Sequence, residues 1–243
     1  MKKHIGLQFL EASSYRHTGE SDLKKGLPQP PLEMPYEGKT IDLPNPLKAV
    51  LPDMSLKEAL LRRESVRSYK KEPITMDELS YALHMTQGIR MMKGTTATFR
   101  TVPSAGARHA FETIMLVNKV IGLESGLYRY IASEHKLLPL KAAPDIASQL
   151  VEACRDQSMV GDAAVTLFWV ADAYRMTHRF AMRGYRYVFI DAGHVCQNLY
   201  LVAHQLGCAT CAIGAFDDER VNEILKLDGE NQFVVYAAPL GKV

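Results

Sequence analysis

The chain has 243 residues and a mass of 27.2 kDa, which suits one large domain with an extension and does not require two equal domains. Hydrophobic residues make up 47% and charged residues 23%, and this composition excludes wholesale disorder because it supplies a substantial core. The 29 basic and 27 acidic residues leave a net charge of +2, so no global field points to nucleic acid or an anionic membrane as partner.

Targeting signals and cysteine usage favour a cytoplasmic protein. The longest apolar stretch, residues 163–171, is less than half the roughly 20 residues of a membrane-spanning helix. Residues 1–6 begin basic but lack the continuous apolar run of a signal peptide. The cysteines lie in apolar surroundings, which favours reduced thiols over a disulfide framework. They are Cys154, Cys196, Cys208 and Cys211.

Residues 1–54 are predicted to form a proline-rich arm, and residues 55–243 a globular domain. The arm has seven prolines between residues 15 and 54 and shows no useful helical or strand periodicity there. Such a segment runs over a protein surface. We expect it to lie across a neighbouring subunit, and a partly disordered leader is the alternative.

Helices and strands are predicted to interleave along the domain. Residues 55–58 and 75–78 each fit the capping box that begins a helix. Pro144 is placed for the first turn of another helix, and Asp217 for the cap of a further one. Runs rich in Val, Ile, Phe and Tyr predict strands at 112–117, 126–131, 163–171 and 232–238. The class is therefore α/β or α+β with one central sheet.

The longest predicted helix, residues 187–206, is apolar almost all round. Such a helix must be buried on most sides. The small pair Ala192 and Gly193 in its middle would allow a second helix to approach closely. This favours a subunit interface, and the central helix of a monomer is the alternative.

Residues 62–69 have a phosphate-binding composition, with three arginines and two serines. In an extended segment Arg63, Ser65 and Arg67 project to one side, and each guanidinium presents a planar fork of donors to phosphate oxygens. A solvated basic turn is the alternative.

Three further segments could bring backbone groups or a cation to a ligand. Residues 99–109 form a loop of small residues that lacks the lysine of a P-loop and the glycine spacing of a dinucleotide site. An ordinary connecting turn is the alternative there. Residues 211–217 place a Gly-Ala turn before a helix cap, and residues 239–242 set Lys242 just after a buried strand.

Together these segments resemble the flavin-dependent nitroreductase family, and within it the SagB-type branch. The resemblance covers residues 55–243 and rests on short motifs that occur in the family's order. They are Arg63-x-Ser65-x-Arg67, Pro103-Ser104-Ala105-Gly106-Ala107-Arg108-His109, Arg183-Gly184-Tyr185-Arg186-Tyr187, Asp191-Ala192-Gly193-His194, Gln197-Asn198-Leu199 and Ile213-Gly214-Ala215-Phe216-Asp217.

The resemblance implies an α+β fold with a central, mostly antiparallel sheet flanked by helices. It further implies an intertwined homodimer with FMN at the interface, NADH or NADPH as electron donor and a small-molecule acceptor. By analogy, Arg63, Ser65 and Arg67 would hold the FMN phosphate and ribityl chain, with Lys242 adding a cation.

The resemblance also assigns residues to the flavin ring. Ser104, Ala105 and Gly106 would line the isoalloxazine, with Arg108 nearby. Gln157 would be a polar flavin contact, and Gly214 and Ala215 would offer backbone N–H groups near flavin N5. Because the cofactor carries the chemistry, no acid, base or nucleophile is assigned.

Two other patterns are interpreted as structural. Cys208 and Cys211, with His204 nearby, could suggest a metal site or a redox pair, but a structural zinc needs four ligands and a redox pair needs a helix N-terminus. We therefore predict buried thiols and no metal. His194 is interpreted as a hydrogen-bonded core or interface histidine.

The resemblance to the SagB-type branch leaves two reactions open, oxidation of a peptide azoline and NAD(P)H-linked reduction of a small acceptor. Its azoline oxidases tend to carry a Lys-Tyr pair, thought to act in proton transfer, where this chain has Arg179-Phe180. A guanidinium is a poor proton acceptor and Phe has no proton to donate, although His178 could substitute. The sequence therefore favours an NAD(P)H-linked reductase of a nitroaromatic or quinone. Oxidation of a peptide azoline and a flavin-binding protein without turnover are the alternatives.

Overall fold

The computed structural model describes residues 4–243, so the first three residues of the predicted arm lie outside the described part. The helices are α1 (Ile5–Ala12), α2 (Leu56–Arg62), α3 (Met76–Gln87), α4 (Ile146–Ala153), α5 (Met159–Asp162), α6 (Ala173–Phe180), α7 (Arg183–Gln205) and α8 (Asp218–Ile224). The strands are β1 (Ile41–Asp42), β2 (Ile89–Lys93), β3 (Ala97–Arg100), β4 (Phe111–Val117), β5 (Gly126–Ile131), β6 (Lys136–Leu140), β7 (Val165–Asp172), β8 (Cys208–Thr210) and β9 (Gln232–Lys242).

Seven strands form one sheet in the order β1, β6, β5, β4, β7, β9, β8. Every neighbouring pair in it is antiparallel. β2 and β3 form a separate hairpin. At the centre β4 pairs with β7, from Phe111 opposite Ala171 to Val117 opposite Val165. The predicted α+β class with a central antiparallel sheet is confirmed.

Alternating side chains divide the core into two layers, one on each face of the sheet. On β7, Trp169 packs in the layer that contains α3 and α7 residues, whereas Phe168 packs in the layer that contains α4, α5 and α8 residues. Both side chains are completely buried. Successive strand residues point to opposite faces, so a strand covered by helices on both sides is apolar throughout.

The predicted elements differ from the observed ones at positions where proline or polar residues obscure the pattern. β6 was not predicted because Pro139 interrupts it. Proline is tolerated there since β1 pairs with β6 only at Lys136 and Leu137, which leaves the far end of β6 at the sheet edge. The predicted place of Pro144 was wrong, because Asp145 is the N-cap and Pro144 precedes the helix. α7 begins at Arg183, four residues earlier than predicted.

The helix caps follow the sequence closely. Thr75 and Glu78 form a complete capping box, and the Asp217 side chain accepts a hydrogen bond from the backbone N–H of Arg220. Ser55 accepts from the backbone N–H of Glu58, but the Glu58 carboxylate pairs with Arg62 at 2.8 Å. In the capping box predicted at residues 55–58, only the hydrogen bond to the Ser55 side chain is therefore formed.

The described arm lies against the rest of its own chain. Thr18 Oγ1 donates to the carbonyl of Phe180 (3.1 Å), and the backbone N–H of Leu23 donates to the carbonyl of His178 (2.8 Å). β1 adds a short strand to the edge of the sheet, and helix α1 was not predicted. Residues 4–54 are thus tied to α6 and α7 by specific hydrogen bonds.

Helix α7 buries one face and exposes the other. Val188, Ala192 and Leu199 are in the core, whereas Phe189 and Ile190 are 55% and 49% exposed. One chain alone therefore buries only part of α7, and burial of the exposed Phe189 and Ile190 at a subunit interface stays a prediction. No helix within residues 4–243 has the length and hydropathy needed to cross a membrane.

Candidate functional site

The segment after α2 runs beside the end of the sheet and carries two arginines that form no ion pair within residues 4–243. The backbone N–H of Val66 donates to the carbonyl of Thr210 at 3.1 Å, which fixes the segment next to β8. Arg67 is exposed, and the Arg63 guanidinium lies over the ring of Tyr200, 5.4 Å from its centroid. Both cations are therefore available to an anion.

Tyr200 links this segment to the Gly-Ala turn that precedes α8. Its hydroxyl is 2.9 Å from Ser65 Oγ and accepts a hydrogen bond from the backbone N–H of Ala212 at 2.8 Å. Ile213 pairs with Ala237 of β9. The hydroxyl thus brings the arginine segment and residues 212–215 to one place.

Gly214 and Ala215 are exposed, and their backbone N–H groups donate to no acceptor within the described residues. The side chain of Gln157 anchors this turn. Its amide donates to the carbonyl of Ala215 (2.8 Å) and to that of Cys154 (2.6 Å). The side-chain N–H groups of Gln157 are thus used to shape the turn that presents the two free amides.

Lys242 is less available than the arginines. Its ammonium forms an ion pair with Glu78 and donates to the carbonyl of Leu206 at 2.8 Å. Glu78 also caps α3 through the backbone N–H of Thr75. Lys242 therefore fastens β9 to α3 and the end of α7, and its charge is balanced by a neighbouring carboxylate.

The small-residue loop before β4 has an unusual backbone that places it on α7. Gly106, Ala107 and His109 all have positive φ values. The backbone N–H of Ala105 points at both Asp191 carboxylate oxygens, at 3.3 Å each, and Ser104 Oγ accepts from the backbone N–H of His109 at 2.9 Å. Burial raises the pKa of Asp191, and its hydrogen bonds from Ser104 and Ala105 oppose that shift.

Glycine is required at position 106 because the loop approaches helix α6 closely. An added Cβ would lie 2.7 Å from Arg179 Nε and 2.8 Å from the Phe180 ring. Arg179 and Phe180, the positions that distinguish the two reactions, therefore lie against this loop.

Arg108 is fully engaged within the chain. Its guanidinium donates to the carbonyl of Gly106 (3.0 Å), the carbonyl of Thr96 (3.0 Å) and the side chain of Gln29 in the arm (3.2 Å). It joins the loop, the β2–β3 hairpin and the arm.

Known proteins that resemble this chain share its fold. The model of the nitroreductase family matches residues 60–242. MJ1384 of Methanocaldococcus jannaschii, named as a nitroreductase, is 36% identical over 195 residues, which cover 79% of this chain and 94% of that protein. The chain belongs to the nitroreductase family.

Two further proteins are similar to this chain. A crystal structure of a Ralstonia eutropha protein described as a nitroreductase has 25% identity and a TM-score of 0.69, and the match covers 89% of this chain and 99% of that one. The trifolitoxin-processing protein TfxB of Rhizobium leguminosarum is 30% identical over 62% of this chain, which spans only 41% of TfxB.

In this member of the nitroreductase family the two candidate groups attach to opposite sides of α7. Asp191 holds the Ser104–Gly106 loop, and Tyr200 holds the arginine segment with the Gly-Ala turn. Nine residues of helix separate these side chains by about 14 Å along the axis and about half a turn around it. A single chain therefore does not gather all the predicted residues around one point. Tyr200 was missed in the sequence because a tyrosine on an apolar helix has no local signal.

The residues considered for proton transfer, redox chemistry or metal binding are mostly covered. His178 is 1% exposed, and its Nε2 lies 3.0 Å from the carbonyl of Leu27 in the arm. The cysteines are buried and unpaired, and burial raises the pKa of Cys208 to about 12. Within residues 4–243 no three His, Cys, Asp or Glu side chains are grouped as metal ligands. His194 is exposed on α7, so it is not a core residue of one chain, and its place at a subunit interface stays a prediction.

Acid is expected to weaken the loop through His109. Burial, together with the positive charges of Arg100 and Arg108, lowers the pKa of His109 to about 3. In the unfolded chain the imidazole has a pKa near 6.5. Between pH 6.5 and pH 3 the unfolded state therefore binds more protons than the folded state, and the free energy of unfolding decreases as the pH is lowered. At pH 5 this group alone should lower the free energy of unfolding by about 2 kcal/mol relative to pH 7.5.

Urea unfolding at pH 7.5 and pH 5 measures this effect, in a window above the pKa values of most carboxyl groups. His109→Asn is the matched variant, since asparagine tolerates the positive φ. Between pH 7.5 and pH 5 the free energy of unfolding should decrease less in this variant than in the parent protein. An equal loss in the variant and the parent would contradict the role of His109.

Proposed function

We propose that the protein is an FMN-dependent oxidoreductase that takes hydride from NADH or NADPH and reduces a small planar acceptor such as a nitroaromatic or a quinone. The observation that carries the proposal is that Tyr200 joins the segment with two unpaired arginines to the turn with two free backbone N–H groups. Membership of the nitroreductase family supplies the reaction class.

The residues fit FMN chemically. Arg63 and Arg67 suit a phosphate because each guanidinium can donate two parallel hydrogen bonds to its oxygens. Ser65 can donate to the ribityl chain or phosphate. The free N–H groups of Gly214 and Ala215 suit the electron-rich edge of a flavin ring. Lys242 could add a cation only if its contact with Glu78 changed.

The protein's own residues bind and orient in this scheme, whereas bound FMN would supply the two-electron chemistry. Backbone donors in a fixed turn stabilise negative charge without reorganising, because Gln157 already holds the turn. Ser104, Ala105 and Gly106 would lie against the ring, and the absence of a side chain at Gly106 lets Arg179 and Phe180 pack against this loop.

A homodimer with two equivalent sites would complete this arrangement. The loop of residues 104–106 and the arginine segment are attached to opposite sides of α7, so a site that uses both needs the loop of a second copy. The exposed Phe189 and Ile190 beside Gly193 supply an apolar strip for helix packing. We propose that α7 forms this interface and that FMN lies across it.

A peptide azoline dehydrogenase is the second candidate, and the identity to TfxB favours it. TfxB is named for processing a peptide toxin, although the match covers less than half of TfxB. Against it, Arg179 and Phe180 lie beside the loop where a proton-transfer pair would be expected. His178 cannot replace them while the arm holds it buried. A flavin store without turnover, the third candidate, would bind FMN but show no reduction by NADH or NADPH.

An absorption spectrum between 300 and 550 nm, followed by anaerobic addition of NADH or NADPH, tests the proposal. We expect a flavin spectrum that bleaches on addition of one of the two nucleotides and recovers with a nitroaromatic. A flavin spectrum that does not bleach would favour azoline oxidation or storage. A colourless protein that does not take up added FMN would contradict the cofactor assignment.

A further inference from the structure

A cavity of about 390 Å³ opens between the β2–β3 hairpin and the start of the small-residue loop. This volume lies within the range of small-molecule sites. Phe99, Val102 and Pro103 form apolar walls, and the two charged side chains among its lining residues are Arg90 and Arg100. Its other titratable lining residue, His109, is held neutral at pH 7 by burial and the neighbouring arginines, since its pKa is lowered to about 3.

Arg100 is a buried cation without a carboxylate partner within residues 4–243. Its side chain is 4% exposed and is held by neutral groups, with Nη1 donating to the Gln87 side chain at 3.1 Å and Nε to Thr98 Oγ1 at 3.4 Å. Nη2 donates to no acceptor in that part of the chain. A buried cation is costly unless an anion or further acceptors satisfy it.

The nearest acidic groups are already used elsewhere. Glu112 and Glu33 influence the pKa of Arg100 through space, but neither forms an ion pair with it. Glu112 is bound to Arg175, and Glu33 accepts from the backbone N–H of Ala132 at 2.6 Å. Within the described residues no carboxylate contacts either cation of the cavity, and Glu112 and Glu33 offset the charge of Arg100 only through space.

Arg90 places a second cation at the same cavity. Its Nε donates to the carbonyl of Arg100 at 3.0 Å, and its two terminal nitrogens donate to no acceptor within the described chain. The side chain is exposed, so an incoming anion can reach it. One buried and one exposed guanidinium thus converge beside apolar walls.

We propose that this cavity binds the negatively charged group of a small aromatic acid, with Arg100 and Arg90 as donors and Phe99, Val102 and Pro103 against the ring. The inference rests on the proposed function in one respect. Lining residues 101–104 continue directly into the loop assigned to the flavin, so the acid bound here would be the electron acceptor. The reductase would then prefer acidic acceptors over neutral ones of the same size.

Calorimetric titration of the flavin-loaded protein without NAD(P)H tests this, using 4-nitrobenzoate and 4-nitrobenzyl alcohol as probes of equal ring size. We expect the anion to bind about 10- to 100-fold more tightly, the range of a charge-assisted hydrogen bond. Arg90→Ala and Arg100→Met should remove that preference, and Arg100→Lys should restore part of it. Lys93→Ala removes a charge from the same hairpin outside the cavity lining and should leave the preference intact.

Equal affinity for the two probes would overturn the inference, as would an anion preference that survives Arg90→Ala and a folded Arg100→Met. Circular dichroism establishes folding, and Arg90→Ala keeps the test decisive if Arg100→Met does not fold. Failure of the proposed function looks different. In that case NADH and NADPH leave the flavin spectrum unchanged while the two probes still differ in affinity.

Discussion

Replacing Arg67 by alanine is expected to weaken FMN binding by about 10- to 100-fold, because an exposed guanidinium without a carboxylate partner would lose a charge-assisted contact to the phosphate. The dissociation constant is measured by the quenching of FMN fluorescence during titration of the flavin-free protein. Arg67→Lys should fall between the parent and the alanine variant, since lysine keeps the charge but loses the planar fork.

Arg62→Ala is the control for this experiment. Arg62 lies five residues earlier and is occupied by Glu58 at 2.8 Å, with 64% of its side chain exposed. The Arg62→Ala change removes one positive charge, as Arg67→Ala does. It should leave the FMN affinity within about twofold of the parent value, since surface charges away from a ligand act weakly. Unchanged affinity in Arg67→Ala, or an equal loss in both variants, would remove Arg67 from the phosphate site.

Replacing Glu112 by alanine is expected to lower the free energy of unfolding by about 3 to 5 kcal/mol, because the change leaves a buried guanidinium short of a partner. Glu112 and Arg175 are each 2% exposed, and the Glu112 carboxylate also accepts from the backbone N–H of Met34 in the arm at 2.8 Å. Asp172, at 3.2 Å from Arg175, can compensate only in part. Urea unfolding at pH 7.5 measures the loss.

Glu152→Ala is the matched control, since Glu152 is exposed on α4 and the change should stay within about 0.5 kcal/mol. Arg175→Met together with Glu112→Leu should recover much of the stability lost in the single variant, because a well-packed apolar pair can replace a buried ion pair. A loss below 1 kcal/mol in Glu112→Ala would mean that the pair contributes little to the fold.

Much of the central sheet could be predicted from sequence because its strands are continuous apolar runs. β5 matches the predicted 126–131, and predicted runs overlap β4, β7 and β9. The β2–β3 hairpin was missed, since Arg90 and Lys93 interrupt its apolar residues and its turn has no strong signal. Local pattern finds buried strands far better than exposed hairpins.

The sequence indicated candidate residues for a site, but not the contacts that those residues make. Arg63, Arg67, Gly214 and Ala215 are placed as free groups, as their chemistry suggested. Lys242 has the same chemistry, yet Glu78 neutralises it from 164 residues away in sequence. The local sequence around Lys242 gives no sign of a partner so far away. For the same reason the sequence did not indicate that Tyr200 contacts the arginine segment.

The arm's contacts have a consequence for the order in which the protein acquires its structure during synthesis. The hydrogen bond between Thr18 and Arg183 cannot form until residue 183, which lies 165 residues later, has been made. The contact between Leu27 and His178 likewise requires residue 178. At about 5 to 20 residues per second, ribosomes need roughly 8 to 33 s to make that intervening chain. The arm leaves the ribosome before α6 and α7, so it can reach its folded position only after those helices have been made. Throughout that interval the nascent arm lacks α6 and α7 as binding partners and is open to chaperones and proteases.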